Sequence, residues 1–178
     1  NAGLCCGLAN LNELDDVTLV SKIIDSIESK YTIDTSRVWA VGFSNGGMLS
    51  YQLACELSNK ITAIGVGSGS LMGKSCSTKQ PVSIIHLHGA SDTKVLFSGS
   101  GFLNTRDVIS NITTVNAQFG CVDVSSSLLE VTGQTTWKWN CQNGVDVQVN
   151  RYDGQGHEWL FAWTKEVIKF LFCMLFTI

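Results

Sequence analysis

Residues Arg37 to Glu56 read RVWAVGFSNGGMLSYQLACE, and the fold turns on this stretch. Val38 to Val41 is a β-rich apolar run expected as a buried strand, and from Met48 the apolar residues Met48, Leu49, Leu53 and Ala54 recur at helical spacing. Between them, Gly42-Phe43-Ser44-Asn45-Gly46 fits Gly-x-Ser-x-Gly. In that pattern small residues let a strand and the following helix approach while the serine is held on a strained turn. Such a turn exposes the Ser44 hydroxyl. It also aims the Asn45 N–H and the positive end of the helix at the space beside that hydroxyl, where a carbonyl oxygen under attack would gain negative charge. Ser44 is the candidate nucleophile and Asn45 the candidate oxyanion donor. The bland alternative is a glycine-rich strand-to-helix turn with an incidental serine.

Upstream, Asp15 and Asp16 open a helix that carries Val17, Val20, Ile23, Ile24 and Ile27 on one face and ends near Tyr31, the acids sitting well for its dipole. Asn1 to Asn12, with Cys5-Cys6-Gly7, shows no period and reads as a loop. Helix, strand and helix within about forty residues give an α/β pattern with parallel strands. Downstream, Ile61 to Val66 and Pro81 to Leu87 read as buried strands, and His86-Leu87-His88-Gly89-Ala90-Ser91-Asp92 places Asp92 in a loop just past a strand's carboxyl end. Open α/β sheets assemble their sites there. Asp92 is the candidate acid, set against an ordinary turn or capping aspartate.

Thr105 to Phe119 reads as a crossover helix ended by Gly120. Leu128 to Val131, Thr135 to Trp139 and Val145 to Tyr152 read as short strands, the last two joined through an Asn143-Gly144 turn. In Asp153-Gly154-Gln155-Gly156-His157-Glu158-Trp159 two glycines let the backbone bend close to whatever the histidine touches, which makes His157 the candidate base. Alone it would read as a surface histidine, and only the company of Ser44 and Asp92 argues otherwise. Thr164 to Ile178 closes the chain as an apolar helix with Val167, Ile168, Leu171 and Phe172 on one side. Its apolar run is short for a span of ~20 residues and reads as a buried terminal helix.

The chain has 178 residues, a net charge of −3 and no basic cluster. These values fit one domain over residues 1–178 and argue against nucleic acid or an anionic membrane as partner. Seven cysteines without a Cys-x-x-Cys pair suggest an oxidising, secreted setting. The sequon Asn111-Ile112-Thr113 falls in a helical pattern and reads as chance.

The order nucleophile, acid, histidine, each after a predicted strand, is that of α/β-hydrolases and implies ester hydrolysis through an acyl-serine. The run DDVTLVSKIIDSIESKYTIDTSRVWAVGFSNGGMLSYQLACEL, with HLHGASD, Cys121 and Cys141, GQGHEW and the opening NAGLCCG, resembles the secreted polyhydroxybutyrate depolymerase and feruloyl esterase family, part of carbohydrate esterase family 1. The resemblance implies a three-layer α/β-hydrolase sandwich with a mostly parallel sheet and a Ser44, Asp92, His157 triad. It implies a monomeric extracellular esterase that releases ferulate or acetate from plant xylan, or cuts short polyesters, with no metal or organic cofactor. It also favours a Cys121–Cys141 disulfide, worth about 3 kcal/mol for a loop of some twenty residues. No pairing of Cys5, Cys6, Cys55 and Cys76 follows from spacing, and Cys173 reads as helix core.

Two departures qualify the resemblance. The family's histidine loop commonly continues Trp-Pro-Gly, whereas here Trp159 is followed by Leu160-Phe161-Ala162. Trp159 either stacks on an aromatic acyl group or sugar, or is plain core. The early strands and the His-Gly loop that carries the second oxyanion donor would precede Asn1, so the expectation is an N-terminally truncated chain that is a poor esterase as it stands. Polyester depolymerase is the alternative activity, and an inactive carbohydrate-binding homologue the alternative of another class. Should Asp92 not be the acid, Asp123, Asp146 and Asp153 are next in line.

Overall fold

The computed structural model describes residues 11–12, 14–72, 76, 78–101, 103–121, 123–129, 133–142 and 144–173, with 123–129 and residue 140 described for backbone alone. The elements run α1 (Asp16–Glu28), β1 (Trp39–Phe43), α2 (Asn45–Glu56), β2 (Ala63–Gly67), β3 (Ser83–Gly89), α3 (Val108–Asn116), β4 (Asp123–Leu129), β5 (Gln134–Asn140), β6 (Val147–Tyr152) and α4 (Phe161–Cys173). The expectations for Cys5, Cys6, Glu130, Val131 and Asn143, and for residues beyond Cys173, lie outside the described residues.

The strands form one sheet in the order β1-β2-β3-β6-β5-β4. β1, β2, β3 and β6 pair in parallel, whereas β5 pairs antiparallel with β6 and with β4. Each parallel pair needs a crossover; α2 and α3 lie in such crossovers on one face, and α4, after β6, covers the other. One face packs on α1, α2 and α3 through Ile24, Tyr51, Leu53, Ile64, Val66, Ile84, Ile112 and Val149. The other packs on α4 through Ala63, Ile85, Leu87, Trp163, Val167 and Leu171. This is the three-layer sandwich expected from the sequence.

Helix starts follow local chemistry. Asp15 accepts from the Thr18 N–H at 2.9 Å and caps α1, and Asp107 accepts from the Ser110 N–H at 2.8 Å and caps α3. Gly120, at φ 68°, ends the short 3₁₀ turn after α3 in the left-handed conformation that favours glycine.

Three expectations about burial need correction. β1 is an edge strand among the described residues, paired only with β2, so Val41 is half exposed rather than buried. In α1 the core stripe is Val17, Val20 and Ile24, and Ile23 and Ile27 stand 49% and 42% exposed. At 100° per residue those two sit to one side of the Val17–Ile24 stripe. In α4 the buried stripe is Trp163, Val167 and Leu171, each four residues apart. Ile168 and Phe172 flank it half exposed, and Cys173 is an exposed free thiol rather than core.

Among the described residues, two disulfides tie the periphery down. Cys55, in the last turn of α2, joins Cys76, and Cys121, before β4, joins Cys141, after β5. The second closes the open end of the β4–β5 hairpin, whose register pairs Asp123 with Asn140. The Asn111 amide of the sequon is buried and donates to Ser70 Oγ at 3.0 Å, so the folded chain does not present it to a glycosyl donor. Among the described residues, no helix is long and apolar enough to cross a membrane.

Candidate active site

Ser44, Asp92 and His157 each follow the carboxyl end of a parallel strand, β1, β3 and β6. Parallel strands bring all their carboxyl ends to one edge of the sheet, so three loops 113 residues apart in sequence at the extreme converge there. His157 Nε2 lies 2.9 Å from Ser44 Oγ, and His157 Nδ1 lies 2.7 Å from Asp92 Oδ2.

Ser44 sits between β1 and α2 at φ 56°, ψ −121°, a strained conformation that costs of order 1–3 kcal/mol and is held by its surroundings. Its N–H donates to the Gly67 carbonyl at 2.8 Å, which docks the turn on β2. A Cβ on Gly42 would lie 2.2 Å from the Gly46 carbonyl carbon, and one on Gly47 would lie 2.9 Å from Val66 Cγ1. Gly46, by contrast, has open space around its Cβ position. The steric demand thus falls on Gly42 and Gly47 rather than on both glycines of the five-residue pattern. Asn45 is the first residue of α2, where the helix supplies no acceptor for the N–H.

Asp92 is 2% exposed and its carboxylate is fully engaged. Oδ1 accepts from the Lys94 and Val95 N–H groups at 2.8 and 2.9 Å, and Oδ2 faces His157. Burial pushes its pKa up, but the hydrogen bonds from His157, Val95 and Lys94 outweigh this and leave it below the ordinary carboxylate value. The acid is therefore ionised at neutral pH. Being an acceptor only, it requires the proton on His157 Nδ1, which leaves Nε2 bare toward the serine.

The acid and histidine loops interlock. Ala90 N–H donates to the Tyr152 carbonyl at 2.8 Å and Ser91 N–H to the Gln155 carbonyl at 2.9 Å. A Cβ on Gly89 would lie 2.3 Å from the Gln155 oxygen, so a glycine is required where the loops touch. The Phe43 ring packs on His157 with centroids 4.9 Å apart.

Trp159 is half buried behind this histidine. Its ring lies edge-on to Phe43 and Trp163 and covers Gly67, and its indole N–H donates to Thr164 Oγ1 at 2.9 Å. Of the reserve acids, Asp153 pairs with Arg151 at 3.0 Å, and Asp146 precedes β6 at the opposite edge of the sheet. The side chain of Asp123 lies outside the described residues.

Sequence reasoning missed a buried polar chain beneath the acid. Tyr51 Oη lies 2.7 Å from His86 Nδ1, His86 Nε2 lies 2.9 Å from His88 Nδ1, and His88 Nε2 lies 2.7 Å from the Val95 carbonyl oxygen. Burial lowers the pKa of both imidazoles, for His86 with the neighbouring His88 adding to it, and raises that of Tyr51. The available signal was a His-x-His pair on one face of an otherwise apolar strand.

Among the described residues no group of three His, Cys, Asp or Glu side chains is placed to hold a metal. A groove of about 410 Å³ between α4 and strands β5 and β6 is lined by residues that include Gln134, Lys138 and Glu166 but none of Ser44, Asp92 and His157.

A mostly parallel sheet covered on both faces, with a strained serine between strand and helix, defines the α/β-hydrolase fold. Within it the chain belongs to the phospholipase/carboxylesterase family, which residues 14–123 match. It is 33% identical over 150 residues to a bifunctional acetylxylan esterase/xylanase of Neocallimastix patriciarum, covering 80% of this chain and 21% of that protein. It is 31% identical over 148 residues to feruloyl esterase D of Neurospora crassa, covering 82% of this chain and 48% of that protein. The chain thus spans about half or less of these relatives. An acetyl xylan esterase structure from Aspergillus awamori superposes with a TM-score of 0.64 at 15% identity, covering 90% of this chain and 68% of that one, and shares the fold.

Proposed function

We propose that this chain is a serine carboxylesterase that works through Ser44, His157 and Asp92 on feruloyl or acetyl esters of xylan-type polysaccharide. The observation that carries the reading is the continuous hydrogen-bonded chain from Ser44 Oγ through His157 to a buried, ionised Asp92. In the reaction His157 Nε2 takes the Ser44 proton as Oγ attacks the ester carbonyl, and the Asn45 N–H stabilises the oxyanion. Asp92 holds the imidazolium that forms. Collapse gives an acyl-serine and passes the proton to the leaving alcohol, and a water activated by the same imidazole releases the acid.

The relatives' names, acetylxylan esterase and feruloyl esterase, support the choice of acyl groups. We assign Trp159 the role of stacking on an aromatic acyl group or sugar, a reading its position beside Phe43, which packs on His157, supports. The two disulfides support an extracellular, oxidising location. We take the working unit to be a single domain and a monomer.

The test is labelling with a fluorophosphonate, which reacts with an activated serine and not with an idle one, followed by a panel of methyl ferulate, acetylated xylan and hydroxybutyrate oligomers. Labelling at Ser44 with turnover of the first two is expected. An unlabelled Ser44 would overturn the esterase reading, and turnover of the oligomers alone would overturn the substrate class.

A further inference from the structure

The chain of groups from Tyr51 to Val95 has one direction only. A carbonyl oxygen accepts and never donates, so His88 Nε2 carries a proton and donates it to the Val95 oxygen. Neutral His88 then has a bare Nδ1, which makes His86 Nε2 the donor between the two rings, and His86 Nδ1 in turn accepts from the Tyr51 hydroxyl. Both rings are fully buried and stacked, with centroids 5.2 Å apart and planes within 7°.

The far end of this chain is the catalytic acid's own loop. The residue whose carbonyl His88 grips is the residue whose N–H grips Asp92 Oδ1, at 2.7 and 2.9 Å. His88 Nε2 also lies 3.5 Å from Asp92 Oδ2, the oxygen that faces His157. The Val95 side chain is packed against Met48 in a small separate cluster. The His88 hydrogen bond fixes the peptide plane that follows Val95 Cα, and the Asp92 hydrogen bond fixes the plane that precedes it, so the two bonds together pin the backbone of this one residue.

We propose that His88 is a positioning residue for Asp92, fixing the Asp92–Val95 loop through the Val95 carbonyl, with His86 and Tyr51 completing the hydrogen bonds of the buried rings behind it. The kinetic part rests on the serine esterase reading; the tautomer part does not. Tyr51 lies on α2, the helix that follows Ser44, so the chain also ties the nucleophile's helix to the acid's loop across β3.

The first test needs no substrate. ¹⁵N NMR of the wild-type protein should show both His86 and His88 neutral with the proton on Nε2, and a proton on His88 Nδ1 with a bare Nε2 would overturn the proposal. The second compares His88→Leu with His88→Gln, whose amide N–H can reach where Nε2–H stood. We expect His88→Leu to lower kcat about ten- to a hundredfold with KM little changed, as for a small misplacement of a catalytic group. The low-field proton of the His157–Asp92 hydrogen bond should shift or vanish, and His88→Gln should recover most of both. A folded His88→Leu protein with wild-type kcat and an unmoved low-field proton would refute it. Should His88→Leu not fold, His88→Asn, whose shorter amide falls short of the Val95 oxygen, decides: a lowered kcat with a moved low-field proton supports the proposal, and wild-type kcat with an unmoved proton contradicts it. An inactive wild type with the expected tautomers would sink the esterase reading and leave the positioning of Asp92 standing.

Discussion

Replacing Asp92 by Asn changes one atom and should disable the site. Asp92 Oδ1 accepts two backbone N–H groups, from Lys94 and Val95, and an amide nitrogen in that place would set donor against donor. The new side chain must therefore keep its oxygen there and turn its NH₂ toward His157 Nδ1, now 2.7 Å from an acceptor. His157 would answer by moving its proton to Nε2, which sits 2.9 Å from Ser44 Oγ. A protonated Nε2 cannot take the serine proton. The loss expected for a wrong tautomer in such a triad is about 10⁴ in kcat, or roughly 5 kcal/mol of transition-state stabilisation. Steady-state hydrolysis of methyl ferulate measures it, with circular dichroism to verify folding. A variant within tenfold of wild type, or one that raises KM at constant kcat, would refute the reasoning and turn attention to Asp153.

Asp92 also ties stability to pH. Its folded pKa is lowered from the ordinary 3.8, so its contribution is present above that value and lost as pH falls through the lower, folded one. The stability gap between wild type and Asp92→Asn should shrink between about pH 5 and pH 2 in urea titrations, and a gap that widens would reverse the sign. Gly42→Ala should cost about 1–3 kcal/mol by overpacking, since its Cβ meets backbone at 2.2 Å. Gly46→Ala, with open space and a helical position, should hold or raise the melting temperature, and equal melts for the two would contradict the contacts described. Changing Cys121 and Cys141 together to Ser should cost about 3 kcal/mol in denaturant titrations, and an unchanged midpoint would show that β4 and β5 need no covalent tie.

The elbow, the element order and the meeting of Ser44, Asp92 and His157 were legible because each is local. A Gly-x-Ser-x-Gly turn, an acid just past β3 and a histidine just past β6 need only a parallel sheet to converge. Rim burial was less legible, because apolar composition sets how much a helix buries and neighbours set which flank. Ile23, Ile168 and Phe172 have core chemistry and half-exposed positions, while Trp163 is fully buried one residue before the predicted start of the last helix. The Cys55–Cys76 bond was hidden because it joins the end of α2 to a loop whose path no periodicity encodes. The Tyr51–His86–His88 chain was hidden for the opposite reason. Its members are read separately, as a helix aromatic and two strand residues, until β3 and α2 are packed together.

Turnover by this mechanism passes through an acylated Ser44. Acid quenching during hydrolysis of methyl ferulate, followed by peptide mass mapping, should find a feruloyl adduct on the peptide that contains Ser44, and Ser44→Ala should give neither adduct nor product. Product formation by Ser44→Ala at the wild-type rate, or an adduct on any other residue, would contradict the account.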